Sequence, residues 1–298
     1  MKKVFITGIN GFTGRYLAAA LAATGYEVHG LVHSEEAKPV IEGATLHVGS
    51  LADSGRLTTI LQDVHPDAVA HLAAIAFVAH GDVDAIYRTN VVGTRNLLEA
   101  LVKSDKSLDS VLLASSANVY GNLTAGVLDE DTPLKPANDY AVSKLAMEYV
   151  AGLYIDRLPI VIARPFNYTG VGQSESFLIP KIVHHVRRHA PVIELGNLDV
   201  ARDFSDVRVT VEYYVQLLAA KLAGQTFNIC SGKAYTLRQV LDMARSISGH
   251  DFKVVVNPAF VRANEVRTLT GNPERVISAV GAVEVVPLEE TLRWMLTA

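Results

Sequence analysis

The sequence predicts an α/β protein: a doubly wound parallel sheet with helices on both faces, joined to a smaller α/β unit. Two patterns predict it. Through residue 164, short and nearly continuous apolar runs alternate with longer helix-like stretches, as parallel strands buried on both faces require. The first run leads straight into Gly8-Ile-Asn-Gly11-Phe-Thr-Gly14, a glycine-rich turn of the kind that joins a strand to a helix at a phosphate site.

Lys3–Thr7 reads as the first buried strand, and Gly14–Thr24, rich in Ala and Leu, as the helix after it. Gly25 is a natural stop for that helix. Glu27–Val32 and Thr45–Val48 are the second and third strands, and Ser54–Val64 is a helix ending before Pro66. Ala68–Leu72 is the fourth strand. Helices at about Val83–Ser104 and Pro136–Leu153 flank a fifth, Ser110–Ala114, and Ile160–Ala163 is a sixth. Beyond Arg164 the alternation weakens, and Pro165–Gln173 is loop-like. Helices follow at Phe177–Arg188, Val209–Ala223, Thr236–Ser248 and Leu288–Leu296, with strands at Thr226–Ile229 and Lys253–Val256. The expected division is a nucleotide-binding domain of residues 1–164, to which 205–230 returns, and a substrate domain of 165–204 and 231–298. The second would lie over the carboxyl ends of the parallel strands, where open α/β sheets bind ligands.

The chain has 298 residues, 49% hydrophobic and 19% charged, which is ample for a core. A net charge of -4 gives no reason to expect nucleic acid or an anionic membrane surface as partner. The single cysteine, Cys230, excludes an intrachain disulfide and a thiolate metal cluster, and fits a reducing cytoplasm. No metal site is expected. The apolar run behind Met1-Lys2-Lys3 is too short for a signal peptide, and no stretch is long enough to span a bilayer.

In a turn such as Gly8–Gly14, glycine permits a tight bend, close approach of backbone to pyrophosphate, and close helix-sheet packing. The helix that opens there offers N–H groups and a partial positive charge to phosphate. A dinucleotide is therefore expected on Gly8, Asn10, Gly11, Phe12, Thr13 and Gly14. At the end of the second strand a carboxylate would bind ribose hydroxyls and repel a 2′-phosphate. Here the residues are His33 and Ser34, which can donate to a phosphate, with Lys38 within reach and Glu35 and Glu36 coming later. That favours NADP(H); with no arginine at this point, NAD(H) also stays open. Farther on, Tyr140 and Lys144 stand four apart in a helical stretch and so share a face.

The glycine turn, Ser115-Ser116-Ala-Asn118-Val-Tyr120 and Tyr140-Ala-Val-Ser-Lys144 together resemble the extended short-chain dehydrogenase/reductase family, whose members act on nucleotide sugars. The resemblance implies a Rossmann-type sheet and a Ser/Tyr/Lys catalytic set of Ser116, Tyr140 and Lys144. Ser116 would hydrogen-bond the substrate oxygen. Tyr140 would give or take the proton, and Lys144 would bind the nicotinamide ribose and hold Tyr140. Bringing a tyrosine from a pKa of ~10 to near 7 needs about 4 kcal/mol. One positive charge about 4 Å away supplies that at an effective dielectric of ~20. The resemblance also puts cofactor contacts at Ser50 and Leu51, at Leu72, Ala73 and Ala74, at Ala114 and at Pro165, with Asn90 holding the geometry. Ser50 stands where the family carries an aspartate.

Dehydratases of this family carry a glutamate, and fucose-forming enzymes a cysteine, where this chain has Asn118. An amide cannot act as acid or base. The histidine of the fucose-forming enzymes would fall at Phe177. Elimination and epimerisation thus lack their groups, and ketone reduction remains. Arg164-Pro-Phe-Asn167, Gly196–Phe204 with Arg202, and Arg262-Ala-Asn-Glu265 resemble the substrate segments of enzymes of GDP-mannose-derived sugars. Ser116, Asn118, Asn167, Arg202, Arg262 and Glu265 are therefore the expected substrate contacts. The implied activity is NADPH-dependent reduction of the C4 ketone of GDP-4-dehydro-6-deoxy-D-mannose to GDP-D-rhamnose, in a cytoplasmic homodimer. A GDP-mannose 4,6-dehydratase, another nucleotide-sugar reductase or epimerase, and a non-catalytic nucleotide-sensing protein are the alternatives.

Overall fold

A computed structural model describes residues 1–34, 41–76, 82–122, 126–260 and 268–298. Its strands and helices, in chain order, begin with β1 (Lys3–Thr7), α1 (Phe12–Ala23), β2 (Glu27–Val32), β3 (Ala44–Val48), α2 (Ser54–Val64) and β4 (Ala68–His71). Next come α3 (Val83–Tyr87), a π-helical turn at Arg88–Val92, α4 (Gly93–Lys103), β5 (Ser110–Ala114), a 3-10 turn at Ala117–Tyr120, and β6 (Val127–Leu128). Then follow α5 (Asp139–Gly152), β7 (Ile160–Pro165), β8 (Asn167–Thr169), α6 (Leu178–Arg187), β9 (Val192–Leu195) and β10 (Ala201–Asp206). The chain continues with α7 (Val207–Ala219), β11 (Thr226–Ile229), β12 (Ala234–Thr236), α8 (Leu237–Ser248) and β13 (Lys253–Val256). It closes with β14 (Thr268–Gly271), α9 (Glu274–Val280) and α10 (Leu288–Thr297).

Seven parallel strands form the large sheet in the order β11-β7-β5-β4-β1-β2-β3. The order reverses between β1 and β4, and a ligand crevice opens outside the carboxyl ends at such a switch point. One face of the sheet is packed by α1 and α7, through residues such as Leu17, Leu21, Val211 and Tyr214. The other is packed by α2, α4 and α5, through Leu57, Leu61, Leu97, Leu101 and Met147. Each such side chain taken fully from water contributes about 1.5–3 kcal/mol before chain entropy is counted. This two-sided burial explains the nearly continuous apolar strands: all of Val4–Thr7 and Val28–Val32 are buried.

A second sheet, β12-β10-β14-β6 with β8 on β10, stands beyond the carboxyl ends, and β13 pairs with β9. Its own core gathers Ile182, Leu195, Phe204, Val240 and Leu292. Residues 205–230 return to the large sheet, α7 packing its face and β11 forming its edge beside β7. The pairing is mixed in one place: β6, from within residues 1–164, joins the second sheet through β14.

Two expectations change. The single helix at Val83–Ser104 is interrupted by the π turn at Arg88–Val92, with buried Asn90 inside it. Beyond Arg164, β8, β9, β10, β12 and β14 are short strands paired to distant segments, where sequence periodicity gives little signal.

Candidate active site

The glycine turn is built for close approach. Gly8 has φ +74°, and a Cβ there would lie 2.8 Å from the backbone nitrogen of Ala73, at the exit of β4. A Cβ on Gly14 would lie 2.2 Å from the carbonyl oxygen of Gly8. Helix α1 therefore starts hard against the strand ends. Its N-cap, Gly11, makes no side-chain cap, and its first turn holds no acid. Such an open N-terminus suits an anionic pyrophosphate, so the residues present fit a dinucleotide. Thr13 Oγ1 hydrogen-bonds the Tyr168 hydroxyl at 2.8 Å, and Phe12 stacks on the same ring. His33 is exposed just past β2 and Ser34 is half-buried; Lys38 lies outside the described residues. Ser50 Oγ accepts from the backbone of Ala52 at 3.1 Å, while the Leu51 side chain is buried and its carbonyl accepts from Asn96.

The floor of the crevice is a chain of polar side chains. His71 Nε2 and Thr94 Oγ1 are 2.8 Å apart, and the Thr94 hydroxyl donates to the Asn90 carbonyl at 2.7 Å. Thr94 Oγ1 is thus the acceptor from His71, which makes His71 the neutral Nε2–H tautomer. Burial pushes the His71 pKa down to about 3, with the Lys144 charge adding to the effect. Asn90 is 1% exposed. It accepts from Ile75 N at 2.9 Å and donates to Ile75 O at 3.2 Å and to Ser143 Oγ at 2.9 Å. The π turn aims this amide at the segment after β4 and ties Ile75 to Ser143 of α5. π turns recur where such a side chain must be aimed. Asn90 thus acts through backbone and Ser143.

Ser116, Tyr140 and Lys144 converge at the carboxyl end of β5 and are 6%, 8% and 4% exposed. The Ser116 side chain lies beside the Tyr140 hydroxyl. It also accepts from Asn118, through the backbone N–H at 3.2 Å and the side-chain amide at 3.0 Å. Lys144 Nζ donates to the Ala114 carbonyl at 2.7 Å. Burial pushes the Tyr140 hydroxyl up to about 12, opposed by the neighbouring Ser116 and assisted by Tyr168. Burial pushes Lys144 down to about 8, and Glu148 opposes it. The expectation that Lys144 would bring Tyr140 toward neutrality is therefore corrected: burial of the hydroxyl dominates its pKa. Tyr140 is protonated at neutral pH, which is the state a proton donor needs.

The substrate side is partly assembled. Asn118 is exposed beside Ser116. Asn167 pairs with Phe204 in register, and its amide donates to the Asp203 carbonyl at 3.2 Å, which sets it beside Arg202. Arg202 is half-buried, and its Nη1 donates to the Ala201 carbonyl at 2.9 Å. Buried Asp203 anchors this corner, accepting from Ser231, Gly232 and Gly271. Pro165 is buried at the end of β7, and Phe177 caps α6 with 37% exposed. Arg262 and Glu265 lie outside the described residues. Among the described residues no cluster of metal-ligating side chains occurs.

Sequence reasoning missed Tyr168, which joins the glycine turn to β8, and Glu148, one turn beyond Lys144 on α5. Glutamate in a helix flank that buries Met147 and Ala151 is a signal that was available.

Residues 5–295 match the family model of the GDP-mannose 4,6 dehydratases. Two curated relatives are each 32% identical. GDP-6-deoxy-D-talose 4-dehydrogenase of Aggregatibacter actinomycetemcomitans matches over 94% of this chain and 91% of its own. GDP-6-deoxy-D-mannose reductase of Pseudomonas aeruginosa matches over 99% and 96%. Among solved structures, a candidate epimerase from Burkholderia cenocepacia J2315 is 53% identical, with TM-score 0.95 over 99% of this chain and 97% of that one. RMD from Pseudomonas aeruginosa complexed with NADPH is 31% identical, with TM-score 0.86 over 100% and 98%.

Proposed function

The chain belongs to the GDP-mannose 4,6-dehydratase family, and from that premise we propose that it reduces the C4 ketone of GDP-4-dehydro-6-deoxy-D-mannose to GDP-D-rhamnose. One observation carries the choice of reduction. The side chain touching Ser116 from the 3-10 turn is the amide of Asn118, which cannot act as an acid or a base at neutral pH. A dehydratase needs an acid–base group to remove a proton from the sugar, and a ketoreductase does not.

NADPH, when bound, supplies the hydride that C4 takes up. Gly8, Gly11, Thr13 and the open end of α1 hold its pyrophosphate, and His33 and Ser34 receive the 2′-phosphate. The Pseudomonas RMD complexed with NADPH supports this choice of cofactor. Ser116 and Asn118 orient the ketone oxygen. Tyr140 delivers its proton to that oxygen as it gains charge, so one C–H and one O–H bond form across the carbonyl. Lys144 holds ribose hydroxyls and offsets the charge that develops on Tyr140. Asn167 and Arg202 face the sugar diphosphate. A guanidinium contact of this kind is worth about 1.5–3 kcal/mol.

We read residues 1–164 with 205–230 as the cofactor-binding unit and the rest as the substrate unit. The active form is a homodimer in the cytoplasm. Val142 and Tyr149 on α5 and Leu153 just past its end form an exposed apolar stripe, at 38%, 72% and 71% exposure, which a second copy would cover. No helix among the described residues is long and apolar enough to cross a membrane.

A specific observation favours one second reading. The relative named for 6-deoxy-D-talose is as similar in identity as the one named for 6-deoxy-D-mannose. These sugars differ in configuration at C4, the face that hydride reaches. Proton NMR of the product made with NADPH separates them: a large H3–H4 coupling means rhamnose and a small one means 6-deoxytalose. Absence of product would sink the reductase assignment. Formation of a 4-keto sugar from GDP-mannose, with no reductant added, would establish a dehydratase instead.

A further inference from the structure

Directly behind the catalytic set lies a buried ion pair that the reaction does not consume. Glu148 and Arg164 are each 7% exposed at the side chain and meet as a two-pronged pair, Nε to Oε1 at 3.0 Å and Nη2 to Oε2 at 2.7 Å. Glu148 is four residues past Lys144 and eight past Tyr140, so all three lie along one face of α5. Its Oε1 also accepts from Ser115 Oγ at 2.5 Å, the residue next to Ser116. Arg164 Nη1 donates to the Tyr120 hydroxyl at 3.1 Å, and Tyr120 donates to Asn228 Oδ1 at 2.7 Å. One carboxylate thus ties α5 to the ends of β5 and β7, and its partner ties β7 to the turn bearing Asn118 and to β11.

Removing a carboxylate and a guanidinium from water is costly, and apolar residues of similar volume would hold the fold as well. Stability alone does not account for the pair. We propose that Glu148, supported by Arg164, is a positioning residue: it fixes Ser116 through Ser115 and keeps the positive charge on Lys144. Among the described residues, the groups facing Lys144 are few. From α5 there are Tyr140 and Glu148, from β5 the carbonyl of Ala114, and from β4 His71, which is neutral. Glu148 is the negative one among them, and it opposes the loss of the Lys144 proton that burial promotes. Arg164 is saturated by the pair, by Tyr120 and by the Glu130 carbonyl.

The inference rests on the ketoreductase reading, and its test separates the two. Glu148→Gln keeps the shape and removes the charge. Glu148→Gln with Arg164→Met removes both charges and leaves no buried arginine unpaired. Turnover of the keto sugar and NADPH affinity, by fluorescence titration, are measured from pH 6 to 10 beside thermal melts. Both variants are expected to lose about 10²-fold in kcat, the scale of a misplaced catalytic group. In both, the alkaline fall of kcat/KM and of NADPH affinity moves about one pH unit lower, the scale expected when one nearby charge is lost. A folded double variant with parental kcat and unmoved alkaline limbs would overturn the proposal. Failure of both variants to fold would assign the pair to folding alone and overturn it equally. An unmodified enzyme that binds NADPH but never reduces the sugar would sink the function instead, and the NADPH limb would still judge Glu148.

Discussion

His71 Nδ1 accepts a hydrogen bond from the Thr7 hydroxyl at 2.6 Å, joining the carboxyl ends of β4 and β1 at the switch point of the sheet. Thr7 Oγ1 in turn accepts from Ala73 N at 3.3 Å, and Leu72 N donates to the Thr7 carbonyl at 3.1 Å. The crevice floor is thus closed by a histidine that works only when neutral.

Acid should therefore loosen the fold at this point. The folded pKa of His71 is depressed, to about 3 from 6.5, so its contribution is fully present above pH 6.5 and is lost as pH falls toward 3. At pH 5 the loss is about 2 kcal/mol, a few degrees of melting temperature. His71→Gln should melt lower than the parent at pH 7.5, and the gap should narrow by pH 5. A gap that holds constant across that range would show that His71 does not carry the acid sensitivity.

Tyr140→Phe should cut turnover by roughly two to four orders of magnitude, as expected when a general acid is removed. The hydroxyl is protonated at neutral pH and lies beside Ser116, so its loss removes the proton source while the ring still fills its place. NADPH affinity should hardly change. Steady-state rates with a fluorescence titration decide this, and an intact rate would move the proton donor elsewhere.

Reduction should fall off above about pH 8. Lys144, with its pKa pushed down to about 8, is charged below that value and loses its charge as pH rises through it; Tyr140, near 12, keeps its proton throughout. A kcat/KM profile against pH should show this alkaline limb. A profile flat to pH 10 would mean that the Lys144 charge is not needed.

His33→Asp should shift preference from NADPH toward NADH. His33 is exposed at the end of β2, and a carboxylate there would repel a 2′-phosphate and bind ribose hydroxyls. The ratio of kcat/KM for the two cofactors measures the change. An unmodified enzyme that already prefers NADH would reverse the reading of His33 and Ser34.

Much of this was legible before any coordinates. Lys3–Thr7, Glu27–Val32, Ser54–Val64 and Ser110–Ala114 fall where the sequence puts them, because apolar runs and turn residues are local signals. The glycine turn and the shared face of Tyr140 and Lys144 were equally readable, since strand-to-helix order and helical spacing place them.

The rest depends on neighbours remote in the chain. The π turn around Asn90 exists because its amide is claimed by Ile75 and by Ser143, 15 and 53 residues away. The strands of the second sheet likewise pair with remote segments: β6 joins β14, and β10 pairs with β8, β12 and β14. Glu148 could be seen as a charge on an apolar helix, but Ser115 and Arg164 as its partners could not. The proton on Tyr140 is the clearest case. Residue types alone argue for a lysine lowering it, and only the packed interior, which strips water from the hydroxyl, reverses the balance.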